Sequence, residues 1–78
     1  MNLIDTIQQQ LYSKYKRLTL SKSEVAQEMG IGLSTLNKYM AEGMNLPNYK
    51  KIGTAKNSRV IFNVADVAEF LADTIKVA

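Results

Sequence analysis

The sequence predicts a mainly α-helical domain that carries a small β-hairpin. Apolar residues recur at helical spacing in four segments, and the apolar period changes to two in one stretch that precedes the last of them. The 78 residues fit a single domain, 1–78. The chain lacks cysteine and histidine, which excludes disulfides and the common zinc sites, so we expect neither a metal nor a cofactor.

The N-terminal segment, 1–17, predicts an amphipathic helix over residues 2–15. Its apolar stripe consists of Leu3, Ile4, Ile7, Leu11 and Tyr15. The stripe has two interpretations: it packs on the core of the domain, which we favour, or it forms a dimer interface. Gln8, Gln9 and Gln10 lie where a signal peptide would be apolar, and no apolar run approaches the roughly 18–20 residues of a membrane span. We therefore expect a cytoplasmic protein that does not enter a membrane.

The segment 20–42 predicts two helices joined by a sharp turn. The first helix starts with a capping box, in which Ser21 is the N-cap and Glu24 is the third helical residue. Ala26 is small where the two helices approach each other, and Gly30 supplies the backbone freedom that the turn requires. This combination is typical of a helix-turn-helix, whereas an ordinary αα-hairpin is the structural alternative.

The second helix of this pair runs from Gly32, its expected N-cap, to Gly43, which stops it. Its inward positions are Leu36, Tyr39 and Met40. Its outward positions are small, polar or basic: Leu33, Ser34, Asn37, Lys38 and Ala41. An outward face of this kind counts against a helical bundle, which would need a second apolar face, and favours a helix that contacts DNA.

The segment 49–62 predicts a two-stranded hairpin. Its strands are Tyr49–Ile52 and Arg59–Phe62, and the polar connection 53–58 places Lys56 and Asn57 near the tip. A last helix follows over 63–76, with Asn63 as its N-cap. The apolar stripe of that helix is Val64, Val67, Phe70, Leu71 and Ile75.

Charge is distributed unevenly along the chain, whose net charge is +3. Between Ser34 and Phe62, five basic residues stand against the single acid Glu42, which gives this stretch a charge of +4. The segment after it, from Asn63, carries three acids against Lys76 and is therefore at −2. This asymmetry predicts one face that meets a polyanion, although a solvated basic loop would give the same pattern.

The helix and the hairpin together supply the candidate DNA contacts. Ser34 suits a phosphate, Asn37 can pair with adenine through its amide, and Lys38 reaches guanine or phosphate. The full candidate set is Leu33, Ser34, Thr35, Asn37 and Lys38 on the helix and Lys51, Lys56, Asn57 and Arg59 in the hairpin. Lys50 and Lys51 point to opposite faces of their strand, so we expect only one of them to meet DNA. The alternatives are that Ser34 only supports the cap, that Thr35 is half buried and that Leu33 packs on the hairpin.

The order of these motifs resembles one family. The matching stretches, within 18–72, are Leu20-Ser21-Lys22-Ser23-Glu24-Val25-Ala26, Met29-Gly30-Ile31, Ser34-Thr35-Leu36, Glu42-Gly43, Leu46-Pro47, Lys51-Ile52-Gly53 and Phe62-Asn63-Val64-Ala65-Asp66-Val67-Ala68-Glu69-Phe70-Leu71. They resemble the excisionase-like, MerR-type winged helix-turn-helix proteins, which include AlpA-like small regulators of phages and mobile elements. The resemblance implies a recognition helix and a wing that bind double-stranded DNA. The sequence departs from the family at Gly32, where relatives carry serine, and at Ile61, where many carry arginine.

Two functions follow as expectations. By the resemblance, the chain is an excisionase, that is a recombination directionality factor that helps an integrase, or a small transcriptional regulator, and it associates with the nucleoid. The alternative is a protein-interaction module that recruits an integrase, a polymerase subunit or its own copy through the N-terminal helix. We do not expect an enzyme, since the sequence has no glycine-rich phosphate loop and no paired acids in an apolar setting. Glu24 and Glu28 share a helix face, but capping and solvent exposure explain them.

Overall fold

Four helices and a small three-stranded antiparallel sheet make up the part of the chain that the computed structural model describes. That part is the backbone of residues 2–53 and 59–77, with side chains up to Asp73. The elements are α1 (Leu3–Tyr15), β1 (Thr19–Leu20), α2 (Lys22–Met29), α3 (Leu33–Glu42), β2 (Lys50–Ile52), β3 (Arg59–Asn63) and α4 (Val64–Val77). The mainly α-helical prediction is confirmed, and the four helices and the two hairpin strands follow one another in the predicted order. No helix among the described residues is long and apolar enough to cross a membrane.

The sheet differs from the predicted two-stranded hairpin because it contains a third strand, β1. The strand order is β1-β3-β2, so β3 is central and pairs with both neighbours in antiparallel fashion. Strand β1 has only two residues, and they pair with Asn63 and Phe62 more than 40 positions away in the chain. A pairing so short and so distant leaves no periodic signal in the sequence. Asn63 ends β3 and also caps α4, because its Oδ1 accepts the Ala65 backbone N–H at 2.8 Å.

The core lies between α1, α2, the sheet and α4. Its buried members are Ile7, Leu11, Leu20, Val25, Phe62, Val64, Val67, Ala68 and Ala72. In α1 only Ile7 and Leu11 are buried, whereas Leu3 and Ile4 at its start remain 43% and 36% exposed. The interpretation that the apolar stripe of α1 packs on the core is therefore confirmed for Ile7 and Leu11. It is wrong for Leu3 and Ile4 at the start of the helix.

The capping signals around α2 and α3 are confirmed in detail. The Ser21 side chain accepts the Glu24 backbone N–H, and the Glu24 carboxylate accepts the Ser21 backbone N–H at 2.8 Å, which completes the capping box. Gly30 takes a left-handed conformation with φ of 74° and ends α2. Three residues, 30–32, separate the helices, and the Ile31 N–H bonds back to the Ala26 carbonyl at 3.0 Å.

Candidate nucleic-acid interface

Helix α3 buries one residue completely and exposes most of the others. Leu36 has no exposed surface, while Tyr39 and Met40 are half buried as the inward positions require. Ser34, Asn37 and Lys38 are exposed, and Thr35 is half buried, as in its alternative interpretation. Leu33 keeps 45% of its surface accessible. The structure thus brings the five predicted helix residues onto or beside one solvent-facing surface.

The start of α3 has free backbone donors. Gly32 occupies the N-cap in an extended conformation and makes no side-chain cap hydrogen bond. Only its carbonyl takes part in the helix, accepting the Leu36 N–H at 3.1 Å. The N–H groups of the first turn have no side-chain acceptor among the described residues, and such donors favour an anionic partner.

One residue of this surface has no signal in the sequence. Lys22, the first residue of α2, donates a hydrogen bond from Nζ to Oδ1 of Asn37 at 3.0 Å. The two residues are 15 positions apart and meet only because α2 and α3 cross. Lys22 therefore joins Asn37 and Lys38 as a polar group on the exposed side of the helix pair.

The register of the hairpin separates two of the predicted contacts. Lys51 pairs with Val60, and Ile52 pairs with Arg59. Directly paired residues share a face and neighbours alternate, so Lys51 lies on the face of the buried Phe62 and Arg59 lies on the opposite one. Lys50 is the lysine that shares a face with Arg59, although the sequence interpretation selected Lys51. The predicted contacts Lys56 and Asn57 lie outside the described residues.

The acids of α2 are paired with cations at the end of α1 and in the connection that follows it. The Arg17 guanidinium bonds to the Glu24 carboxylate, and Lys14 Nζ lies 2.6 Å from Glu28 Oε2. The Tyr15 hydroxyl donates to the same Glu28 oxygen. The side chain of Glu28 is only 17% exposed, so the expectation of a solvated glutamate is wrong. Its position follows from the contact of Lys14 and Tyr15, at the end of α1, with α2, which the helix pattern of α2 alone does not reveal.

The pKa values of these groups report the same pairing. Burial alone would raise the pKa of the Glu28 carboxyl, but the hydrogen bonds from Lys14 and Tyr15 outweigh it and hold the pKa below its usual value. For Glu24, burial is likewise outweighed by the Ser21 backbone and Arg17, and its pKa is also lowered. The bond to Glu28 raises the pKa of Lys14. Each of these carboxylates is therefore stabilised in its charged form.

A groove of about 660 Å³ touches α3 at the half-buried Tyr39 and is not lined by the exposed Ser34, Asn37 or Lys38. Its walls come from all four helices and include Ile7, Leu11, Met29, Tyr39 and Leu71, with the paired Lys14 and Glu28 in its polar part. No group of three or more acidic, histidine or cysteine residues suited to a metal ion occurs in the described part of the chain. The two surfaces differ in character, since the groove is mainly apolar and the α3 surface is polar and basic.

The chain was compared with protein-family models, curated proteins and solved structures. No protein-family model, curated protein or solved structure matches the chain. The resemblance to the excisionase-like family therefore rests on the motifs of this sequence alone. It stays a prediction.

Proposed function

We propose that this protein is a sequence-specific DNA-binding protein with a winged helix-turn-helix fold. In this proposal α3 is the recognition helix and enters the major groove, while the hairpin formed by β2 and β3 is the wing and contacts the backbone or the minor groove. The observation that carries it is the exposed surface of α3, where Ser34, Asn37 and Lys38 are solvent-facing and Lys22 stands beside them.

Packing supports the use of α3 as the inserted element. Leu36 anchors the helix from one side, and Asn37 and Lys38 are exposed on the other. A major groove about 12 Å wide accepts one α-helix. The outer face of that helix must then carry no bulky apolar cluster. Leu33 is the one large apolar residue on that face, and a single leucine suits contact with a thymine methyl group.

Charge supports the same orientation. Lys38, Lys50, Lys51 and Arg59 have no carboxylate partner within 4.0 Å among the described residues, where the ion pairs are those of Lys14 and Arg17. Unpaired cations that face DNA neutralise its phosphates, and in the hairpin Lys50, not Lys51, shares the face of Arg59. Lys38, Lys50 and Arg59 together with the predicted contact Lys56 would neutralise about four phosphates. This predicts a slope of about −3.6 for the logarithm of affinity against that of salt concentration.

The resemblance suggests two biological settings for this DNA binding. One is a recombination directionality factor that binds beside an integrase or another recombinase, and the other is a small transcriptional regulator of a phage or mobile element. Both settings use the same recognition helix and wing, and both allow self-association on DNA. They differ in the partner protein, so an interaction assay with a recombinase separates them after DNA binding is established.

Binding to duplexes selected from a random library tests the proposal. Fluorescence anisotropy at two salt concentrations should show binding at micromolar protein or below that weakens steeply with salt. The matched control is Lys16→Gln, which removes a lysine from the connection after α1, whereas Lys38→Gln removes one from α3. Lys16→Gln should bind DNA as tightly as the unaltered chain does, and Lys38→Gln should bind it more weakly. Absence of any duplex binding at low salt would contradict the proposal.

A second function, protein interaction through α1, is favoured by the exposed start of that helix. Leu3 and Ile4 are solvent-facing, whereas Ile7 lies in the core. Ile4→Glu therefore tests this function without removing a core residue, and Ile7→Glu does not. Sedimentation analysis should show loss of self-association in Ile4→Glu if α1 joins two copies. A chain that is monomeric with or without this change would leave self-association through α1 without support.

A further inference from the structure

We propose that Lys22 and Asn37 act as one base-reading unit, in which Lys22 holds the Asn37 amide so that its NH₂ group faces the base edges. This inference rests on the proposed function, because it concerns what α3 presents inside the major groove. Lys22 lies in α2, and in this proposal it helps to determine which base is recognised by Asn37 of α3. The observation that carries it is the 3.0 Å contact between Lys22 Nζ and Asn37 Oδ1.

The chemistry of the two side chains determines how the amide is oriented. A lysine ammonium has three donors and no acceptor, so it can bond only to the carbonyl oxygen of the amide. The NH₂ group of Asn37 is then the end left for another partner. Asn37 is exposed, and its NH₂ group has no partner among the described residues. The pair therefore offers donors to a ligand, while one lone pair of its amide oxygen is already engaged by a cation.

A donor-only pair recognises a different base from a free asparagine. A free asparagine bonds adenine through two contacts, accepting from N6 and donating to N7. Guanine presents only acceptors, N7 and O6, at the same edge of the major groove. Because the ammonium keeps two further donors beside the Asn37 NH₂ group, the pair suits guanine better than adenine. The inference replaces adenine, the base expected for Asn37 from the sequence, with guanine.

The surrounding structure holds both members of the pair in place. Lys22 follows the Ser21 N-cap directly, so the capping box fixes its backbone at the first helical position of α2. Asn37 follows the fully buried Leu36, which fixes its position on α3. Lys22 is half buried, so its aliphatic stem lies along the protein while its ammonium reaches Asn37.

The competing role for Lys22 is a plain phosphate contact. In that case the ammonium leaves Asn37 when DNA binds, and Lys22 adds affinity equally for all sequences. The two roles predict different results for a variant that removes the ammonium but keeps the stem. Lys22→Met is that variant, and Lys22→Arg is its matched control because the guanidinium also has donors only.

The experiment selects binding sites from a randomised duplex library with the unaltered chain, Lys22→Met, Lys22→Arg and Asn37→Ala. The unaltered chain should select guanine at one base pair, and Asn37→Ala should lose that preference. Lys22→Met should change the preference at that base pair to adenine, by about threefold to tenfold in affinity, the effect of roughly one hydrogen bond. Lys22→Arg should keep guanine. Circular dichroism of each variant establishes that the fold is retained.

Three results would overturn the inference. The first is a uniform loss of affinity in Lys22→Met with an unchanged base preference, which identifies a phosphate contact. The second is an adenine preference that depends on Asn37 in the unaltered chain. In both of these cases DNA binding, and with it the proposed function, would stand. The third is absence of duplex binding by the unaltered chain, which would overturn the inference and the proposed function together.

Discussion

The side of α2 that faces α1 and the exposed surface of α3 with the hairpin are both rich in charge, but they differ in how the charges are paired. On the α1 side, Lys14 and Arg17 each meet a carboxylate of α2, and both carboxyl groups have lowered pKa values. On the α3 side, Lys38 and Arg59 meet no carboxylate among the described residues. Similar residue types therefore serve two purposes, since paired charges join helices and unpaired charges are available to a ligand.

The two regions also differ in the contacts that hold their helices in place. Helix α1 contributes Ile7 and Leu11 to the core and two ion pairs lie at its end, so several contacts fix it. Helix α3 is attached through Leu36 as its one fully buried residue. A helix that buries little of itself leaves more of its surface for a partner. The predictions below alter one region at a time, from the largest expected effect to the smallest.

The largest effect is expected for Leu36→Ala, which removes the anchor of α3. Loss of a fully buried leucine should lower the free energy of unfolding by about 2–5 kcal/mol. Urea denaturation at low temperature measures it. Leu33→Ala is the matched control, because it truncates an exposed leucine of the same helix and should cost far less. Equal losses in the two variants would show that α3 is not anchored as described.

Removing two unpaired cations should weaken DNA binding without weakening the fold. For Lys38→Gln combined with Arg59→Gln we expect affinity at about 0.1 M salt to fall roughly 50- to 100-fold, and the salt slope to decrease by about 2. Anisotropy titrations at several salt concentrations provide both values. A full loss of affinity with an unchanged slope would show that these residues do not contact phosphates.

The register of the hairpin predicts unequal effects for two adjacent lysines. Lys50 shares a face with Arg59, and Lys51 lies on the other face. If Arg59 contacts DNA, Lys50→Gln should reduce affinity by about tenfold or less, the effect of one phosphate contact, and Lys51→Gln should have a smaller effect. The two variants serve as controls for each other. A larger loss in Lys51→Gln would place the contact on the opposite face of the hairpin.

On the α1 side, Glu28→Gln should affect stability and leave DNA affinity unchanged. The change weakens the contacts from Lys14 and Tyr15 to a poorly exposed carboxylate, so we expect the free energy of unfolding to fall by about 1 kcal/mol. Urea denaturation measures this effect. Glu69→Gln on α4, an exposed glutamate, is the control and should leave the stability unchanged. A fall in DNA affinity of the folded Glu28→Gln variant would contradict the separation of the two regions.

The smallest effect is the pH dependence that the same carboxyl groups impose. Because the folded-state pKa values of Glu24 and Glu28 are lowered, their contribution to stability is present above the ordinary glutamate pKa of roughly 4.3. It is lost as the pH falls through the folded values, when both states become protonated. The urea midpoint should therefore decrease below about pH 4.3. The double variant Glu24→Gln, Glu28→Gln should show a weaker decrease, and an identical one would contradict this assignment.

Features with local causes were predictable from the sequence. The capping box at Ser21 and the left-handed glycines at positions 30 and 43 depend on neighbours within one turn, and all are present. The buried Leu36 follows from helical spacing. The alanines at positions 68 and 72 were missed because alanine gives a weak apolar signal, although both are buried.

Features that join distant segments were not predictable in the same way. Strand β1, the contact between Lys22 and Asn37 and the burial of Glu28 all arise where elements meet in space. Apolar periodicity and capping patterns describe one helix or strand at a time. They therefore contain no information on contacts between elements that are distant in the sequence. The candidate site shows the same difference between local and distant features. The outward spacing of α3 identified its exposed residues, but no pattern in the sequence identified Lys22 on α2 as the partner of Asn37.

Chemical-shift mapping with a DNA duplex tests the central claim most directly. Titration of the ¹⁵N-labelled chain with a selected duplex should shift the amide signals of Leu33 to Lys38 and of the strands β2 and β3. The amide signals of Ile7 and Leu11 in α1 should stay in place, because the side chains of these two residues are buried in the core. Shifts confined to α1 and α4, with α3 unchanged, would show that the unpaired surface is not the DNA-binding surface.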